Sequence, residues 1–205
     1  MVVFPVVLDS CVLYPMYLRD TLLRAAEAGL YQVRWTEEIL DGTFRNLVGD
    51  GRISPEKAQQ LNHVMNRAFP EALIEMTDDL LPCLDNHEGD RHVLAAALVG
   101  KAEVIVTDNL RHFPKKSLDK FNVTAQSADE FLVSLLDLSG DKMLSIIAKQ
   151  VEDLTNPQMK IDELLDLLKK CVPKFVIAYR KCLNALEKSE LQINEDATKA
   201  LKGAD

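Results

Sequence analysis

The sequence predicts an α/β fold with a parallel β-sheet, followed by a helical segment. Strand-like and helix-like stretches alternate through the first 138 residues, an order typical of parallel strands joined by helical crossovers. The strand candidates are short apolar runs rich in valine and isoleucine, as in strands buried on both faces. Beyond Ser139 and Gly140 no strand candidate of any length remains. We therefore expect an α/β domain over residues 1–138 and a helical extension, residues 139–205, packed on its core.

Local signals set the ends of the predicted elements. Gly29 and Gly100 close helices, because glycine is favoured just past a helix end. Thr36 and Ser54 precede helices as caps. The predicted strands are residues 2–8, 31–35, 104–106 and 122–126. The predicted helices are residues 18–28, 37–48, 55–69, 90–100, 128–136, 141–154, 162–171 and 174–187. The polar residues from 189 onward are expected to fray.

Three aspartates stand at the tips of predicted elements. Asp9 follows the first strand, and Asp108 follows the strand over residues 104–106. Asp90 stands at a helix start, where a carboxylate suits the exposed backbone amides. Because ligands collect at the carboxyl ends of parallel strands, we expect these side chains to converge at one edge of the sheet. Taken singly, each aspartate also fits an ordinary role as a helix cap or loop acid.

Converging carboxylates imply a bound cation, because like charges repel one another unless a cation offsets them. Mg²⁺ and Mn²⁺ prefer such oxygen ligands. A site of this kind suits phosphodiester hydrolysis, in which metal ions activate water and stabilise charge on the phosphate. Arg91, Arg111, Lys115 and Lys116 lie near these acids in sequence and are candidates for holding a nucleic-acid backbone. Ordinary solvated charges explain these four residues equally well.

Composition narrows the class of protein. The 205 residues are 47% hydrophobic, enough for one sizeable core with an appendage. A net charge of -8 argues against binding nucleic acid through a broad basic surface, but it leaves a nuclease with an acidic metal site open. The four cysteines lack the spacing of a zinc site and are expected to be reduced thiols. No apolar run is long enough for a membrane span, so we expect a soluble, cytoplasmic protein.

Three motifs occur in order along the chain: VVLDSCVLYP at residues 6–15, DRHVLAAA at residues 90–97 and VIVTDNLRHFP at residues 104–114. They resemble the signature motifs of PIN domains, in the branch similar to VapC-type bacterial toxins. The resemblance covers residues 1–136, and residues 156–175 also resemble the helical extension of that branch.

The resemblance implies a three-layer α/β/α sandwich with a central parallel sheet. It also implies a Mg²⁺- or Mn²⁺-dependent ribonuclease that cleaves single-stranded RNA at a cluster of acidic residues. A cognate antitoxin protein is the implied partner, and a homodimer is a further expectation. The resemblance implies that Asp9 and Asp90 are catalytic metal ligands. The expected substrate-binding residues are Ser10, Arg91, Thr107, Asn109 and Arg111.

The chain departs from the family pattern in two of its segments. Gly42 occupies the place of the glutamate that follows the second strand in the family. In the third motif, Asn109 and His112 stand where the family commonly has an acid. We expect Asp108 to serve there as a catalytic metal ligand. We expect Glu38, one helical turn before Gly42, to complete the catalytic set.

These departures leave two functions open. The first is an active metal-dependent endoribonuclease of toxin–antitoxin type. The second is a PIN-fold module that binds RNA or protein and has weak or lost nuclease activity because of Gly42. A phosphatase-like or nucleotide-binding protein is disfavoured, since the chain lacks a glycine-rich phosphate loop and has Cys11 where a D-x-D motif needs its second acid.

Overall fold

The computed structural model describes residues 3–76, 78–156 and 158–202. Three parts of the sequence-based predictions, Val2, Pro157 and residues 203–205, lie outside the described residues. The strands are β1 (Pro5–Leu8), β2 (Gln32–Arg34), β3 (Val104–Val106) and β4 (Thr124–Gln126). The α-helices are α1 (Ser10–Leu13), α2 (Met16–Glu27), α3 (Glu37–Gly49), α4 (Pro55–Ala68), α5 (Arg91–Val99), α6 (Lys115–Leu118), α7 (Ala128–Leu138), α8 (Gly140–Asp153), α9 (Ile161–Leu168) and α10 (Pro173–Lys202). Short 3₁₀ segments cover Asp78–Cys83, Glu88–Asp90, Leu110–His112 and Asp119–Phe121.

The four strands form one parallel sheet in the order β2-β1-β3-β4. In its register, Leu8 at the end of β1 lies opposite Val106 at the end of β3. Both side chains are fully buried, as expected for strands covered on both faces. The residues that follow these two strands therefore emerge side by side at one edge of the sheet. The predicted α/β class with a parallel sheet is confirmed.

Helices flank this sheet. Helix α5 packs on β1 and β3, and its Ala95, Ala96 and Ala97 are fully buried. Their small side chains let the helix backbone lie close to the strands, which explains the alanine-rich sequence. Helix α2 packs on β2, and α3 packs against α5. The arrangement agrees with the predicted α/β/α sandwich.

The last three helices contact the α/β core. Helix α8 packs against α2 and α7, α9 packs against α2, and α10 packs against α7. The fully buried Gln150 side chain of α8 donates through Nε2 to the Tyr17 carbonyl at 3.0 Å, and its Oε1 lies 2.8 Å from the Thr21 hydroxyl. Helix α10 continues to Lys202, beyond the predicted end at residue 187. Within the described ranges, no helix has the length and apolar character needed to cross a membrane.

Candidate active site

Asp9 lies at the carboxyl end of β1, where the chain turns into α1. Its backbone N–H donates to the Val106 carbonyl at 3.0 Å, so the pairing with β3 continues up to this residue. Its side chain caps α1, because Oδ1 accepts a hydrogen bond from the Ser10 N–H at 2.6 Å. With 2% of its surface exposed, Asp9 is held rigidly at the predicted edge of the sheet.

Neutral donors surround the Asp9 carboxylate. The Thr107 hydroxyl donates to Oδ2 at 2.6 Å, the Cys11 thiol donates to the same oxygen at 3.3 Å, and the Ser10 hydroxyl donates to Oδ1 at 3.2 Å. Among the described residues, no lysine, arginine or histidine forms an ion pair with Asp9. Burying a charge without a counterion costs stability. A bound cation would offset that cost.

The Cys11 thiol acts here as a hydrogen-bond donor. Burial, and then the neighbouring Asp9 charge, raise its pKa to about 12. The thiol therefore stays protonated at neutral pH, which suits its contact with Asp9 and excludes a role as a thiolate nucleophile.

Asp90 is not the helix cap that the sequence suggested. It occupies the position before α5, but its side chain makes no capping hydrogen bond. Its Oδ2 instead lies 2.6 Å from His112 Nδ1 and 3.3 Å from His87 Nδ1. The two imidazoles draw the carboxylate away from the helix amides. The buried Asn86 anchors the same turn by donating through Nδ2 to the Asp90 carbonyl at 3.1 Å.

Asp108 points toward the amino end of α7. Its Oδ1 accepts a hydrogen bond from the Ala128 N–H at 3.3 Å, while its side chain also reaches solvent. Partial burial is the main cause of its raised pKa, and the charges of Asp9 and Asp129 raise it further. Asp129 in turn accepts hydrogen bonds from the first backbone amides of α10. Asp108 thus lies between Asp9 and the start of the last helix.

Helix α3 brings Gly42 close to Ser10, the residue that follows Asp9. A Cβ atom built on Gly42 would lie 3.6 Å from Ser10 Cβ and 3.8 Å from Ser10 Oγ. Both distances are ordinary van der Waals contacts, so space does not require glycine here. The Glu38 side chain is 63% exposed and lies 3.8 Å from Nδ1 of His92 in the first turn of α5.

The predicted substrate-binding residues occupy different environments. Thr107 is fully buried, with its hydroxyl bonded to Asp9, so its place suits positioning of that carboxylate. Ser10 and Asn109 are partly exposed beside it.

Arg111 is exposed and donates from Nε to His112 Nε2 at 3.1 Å. Arg91 Nε is buried without a hydrogen-bond partner among the residues that the structure describes.

Among the described residues, Asp9, Asp90 and Asp108 do not form one cluster of touching carboxylates, although the Asp9 charge acts on Asp108. In the part of the chain that the structure describes, the group of His, Cys, Asp or Glu ligand atoms within 4.8 Å of one another is His87, Asp90 and His112. In the sequence, His112 stands out only as a departure from the family pattern. His87 carried no signal beyond standing three residues before Asp90.

Comparison with known proteins gives matches over both parts of the chain. The family model described as "PIN domain" matches residues 5–111, and a model described as "VapC50 C-terminal domain" matches residues 128–181. A protein of Mycobacterium tuberculosis (strain ATCC 25618 / H37Rv) named "Putative ribonuclease VapC50" is 40% identical over 104 residues, which are 51% of this chain and 62% of that protein. The alignment thus covers less than two thirds of this relative. No solved structure matches significantly. The chain belongs to the PIN-domain family, in its VapC-like branch.

Proposed function

We propose that this protein is a divalent-metal-dependent endoribonuclease that cleaves single-stranded RNA, as a cytoplasmic toxin of a toxin–antitoxin pair. The observation that carries the proposal is Asp9, a buried carboxylate at the end of β1 with neutral donors around it and no cationic partner in the described structure. The match to the PIN-domain model and the name of the relative support a nuclease of this branch.

The donor atoms at this edge of the sheet fit Mg²⁺ or Mn²⁺, because they are carboxylate and hydroxyl oxygens. Asp9 would hold the ion directly. Asp108 lies close enough for its pKa to respond to the Asp9 charge, and Asp90 would complete the metal set from the start of α5. When bound, the ion would activate water and stabilise charge on the scissile phosphate.

Arginine side chains beside the acids would hold the RNA backbone. Arg91 begins α5 with one buried nitrogen that has no hydrogen-bond partner among the described residues, and Arg111 is exposed next to His112. Guanidinium groups suit phosphate because they present several donors in a planar fork. Ser10 and Asn109, partly exposed near Asp9, are the polar residues placed to contact the nucleotide nearest the scissile bond.

We further propose that the chain has two parts, a nuclease domain of residues 1–138 and a helical extension of residues 139–205. The extension carries α8 to α10, which pack on α2 and α7. The family match to residues 128–181 begins at α7, so α7 is the element that joins the two parts. An antitoxin protein is the expected partner, and a homodimer is the expected assembly.

A second function, RNA or protein binding with weak or lost cleavage, is favoured by Gly42. This position faces Ser10 beside Asp9, where the resembling family carries a glutamate. Without that carboxylate the site has one less candidate metal ligand, and Glu38 would have to replace it from one turn away. The second function predicts RNA binding without metal-dependent cleavage.

The test is cleavage of a fluorescently labelled single-stranded RNA with Mg²⁺ or Mn²⁺. We expect the parent to cleave it, EDTA to stop cleavage, and a duplex of the same sequence to be resistant. Asp9→Asn should lose cleavage, whereas Asp137→Asn, the same chemical change at an exposed position of α7, should keep it. Binding of the RNA by a parent protein that cleaves none of it with either metal would support the binding module instead.

A further inference from the structure

His87 and His112 both face the carboxylate of Asp90. Their Nδ1 atoms lie 3.3 Å and 2.6 Å from Asp90 Oδ2, and all three ligand atoms of the group fall within 4.8 Å of one another. The two imidazole rings stack, with centroids 4.0 Å apart and planes 13° apart. Two imidazoles and one carboxylate are thus gathered on one side of Asp90.

The backbone holds this group together independently of the side-chain contacts. The His87 N–H donates to the His112 carbonyl at 3.2 Å, which ties the loop before α5 to the 3₁₀ segment after β3. The Asp90 N–H donates to the His87 carbonyl at 2.9 Å, and Asn86 holds the Asp90 carbonyl. The three ligands are therefore brought together by the fold before any ion binds.

We propose that His87, Asp90 and His112 form a binding site for a transition-metal ion such as Zn²⁺ or Co²⁺. Imidazole nitrogen is a preferred ligand of these ions, whereas Mg²⁺ prefers oxygen. With metal–ligand bonds of about 2.1 Å, neighbouring ligand atoms lie roughly 3.0–3.4 Å apart. The observed separations of 2.6 Å and 3.3 Å from Asp90 Oδ2 are close to this range. Three protein ligands leave at least one coordination position for water.

Binding of the ion requires two side chains to adjust. His112 Nε2 accepts a hydrogen bond from Arg111 Nε, so the neutral ring carries its proton on Nδ1, facing Asp90. An ion at Nδ1 moves that proton to Nε2, where it would meet the Arg111 donor, and the exposed Arg111 must turn away. The His87 ring, whose side chain is 56% exposed, must tilt out of the stack so that its lone pair reaches the ion.

This site shares Asp90 with the acidic site proposed above, but its argument does not depend on nuclease activity. The acidic site is centred on Asp9 and oxygen ligands, whereas this site depends on two imidazoles. Failure of the nuclease proposal would appear as absence of RNA cleavage with Mg²⁺. Failure of the present proposal would appear in metal binding measured without RNA.

The test is titration of the purified protein with Co²⁺, followed by its visible d–d absorption, and with Zn²⁺ by calorimetry, at about pH 7.5, where imidazole is mostly neutral. We expect one equivalent to bind. His87→Ala and His112→Ala should each weaken binding by about tenfold or more, since even indirect partners of metal ligands contribute that much. His63→Ala is the matched control, because His63 is exposed on α4, outside the group, and should behave as the parent does.

The Co²⁺ affinity of Arg111→Gln is a second measurement, which would not change if His87, Asp90 and His112 had only a structural role. This change removes the donor that competes at His112 Nε2, together with a nearby positive charge, so we expect tighter Co²⁺ binding. The exposed His87 can be replaced without disturbing the core, so His87→Ala decides the matter if His112→Ala fails to fold. Equal Co²⁺ affinity in His87→Ala and the parent, or no specific binding by the parent, would overturn the proposal.

Discussion

Replacing Gly42 by glutamate tests whether this position belongs to the acid cluster. Gly42 lies inside α3, and an added Cβ would make only ordinary contacts with Ser10, at 3.6 Å and 3.8 Å. Its backbone does not adopt the left-handed conformation that favours glycine. Neither space nor conformation therefore demands glycine, and a side chain entering here would extend past Ser10 toward the region of Asp9.

The size of the effect follows from two opposing contributions. Alanine in place of a helix-interior glycine stabilises by about 1 kcal/mol, or roughly 2–4 °C in Tm for a chain of this size. Two carboxylates that approach to about 6 Å repel one another by roughly 3 kcal/mol at an effective dielectric constant of 20, which sets the scale of repulsion if a glutamate at position 42 reaches Asp9. Without metal, Gly42→Glu should therefore be less stable than Gly42→Ala. Saturating Mg²⁺ offsets the repulsion and should remove that difference in stability.

The assay is thermal unfolding with and without Mg²⁺, combined with cleavage of single-stranded RNA. Gly42→Ala isolates the helix contribution, and Gly42→Gln matches the size of glutamate without its charge. We expect the Mg²⁺-induced gain in Tm and the cleavage rate to be largest in Gly42→Glu. If this variant gains no more from Mg²⁺ than Gly42→Gln and cleaves no faster, position 42 lies outside the acid cluster. Glu38→Gln would then be the next variant to measure.

Three further predictions concern Asp108 and the extension. Because burial raises the pKa of Asp108, ionising this carboxyl disfavours the folded state. Asp108→Asn should therefore have a higher Tm than the parent at about pH 7, and the gain in Tm should vanish as the pH falls to about 4 and below. A gain in Tm that does not change with pH would contradict this explanation. Gln150→Ala removes a fully buried side chain with its donor to the Tyr17 carbonyl and its acceptor for the Thr21 hydroxyl, although that hydroxyl still donates to the carbonyl at 2.9 Å, and should cost about 1–3 kcal/mol in chemical denaturation. Lys149→Ala, at an exposed position of the same helix, is its control. Truncation after Leu138 should expose apolar surface and cause aggregation, which size-exclusion chromatography would detect. A truncated protein that stays monomeric with the Tm of the parent would show that the helical extension does not stabilise the core.

The strands and the place of Asp9 were predictable because they follow from local pattern. Continuous β-branched runs indicate buried parallel strands, and a residue that follows such a strand must lie at the carboxyl edge of the sheet. The last helix was less predictable: its apolar spacing weakens after residue 187, yet the backbone stays helical to Lys202.

The side-chain directions of Asp90 and Asp108 could not be read from sequence. Asp90 turns to the nearby His87 and to His112, 22 residues further on, and Asp108 turns to the Ala128 N–H, 20 residues further on. Sequence spacing places an acid at the tip of an element, but tertiary contacts decide where its oxygens point. The imidazole group around Asp90 is the clearest example, since its members come from two separate loops.

The central claim is that Asp9 holds a divalent cation at the carboxyl edge of the sheet. Its most direct test is Mg²⁺ binding, measured by calorimetry in the parent, Asp9→Asn and Asp137→Asn. Mg²⁺ is the appropriate ion because the imidazole group around Asp90 does not suit it. The claim predicts that Asp9→Asn stays folded and loses affinity by about tenfold or more, while Asp137→Asn binds as the parent does. Mg²⁺ affinity that is the same in Asp9→Asn and the parent would contradict it.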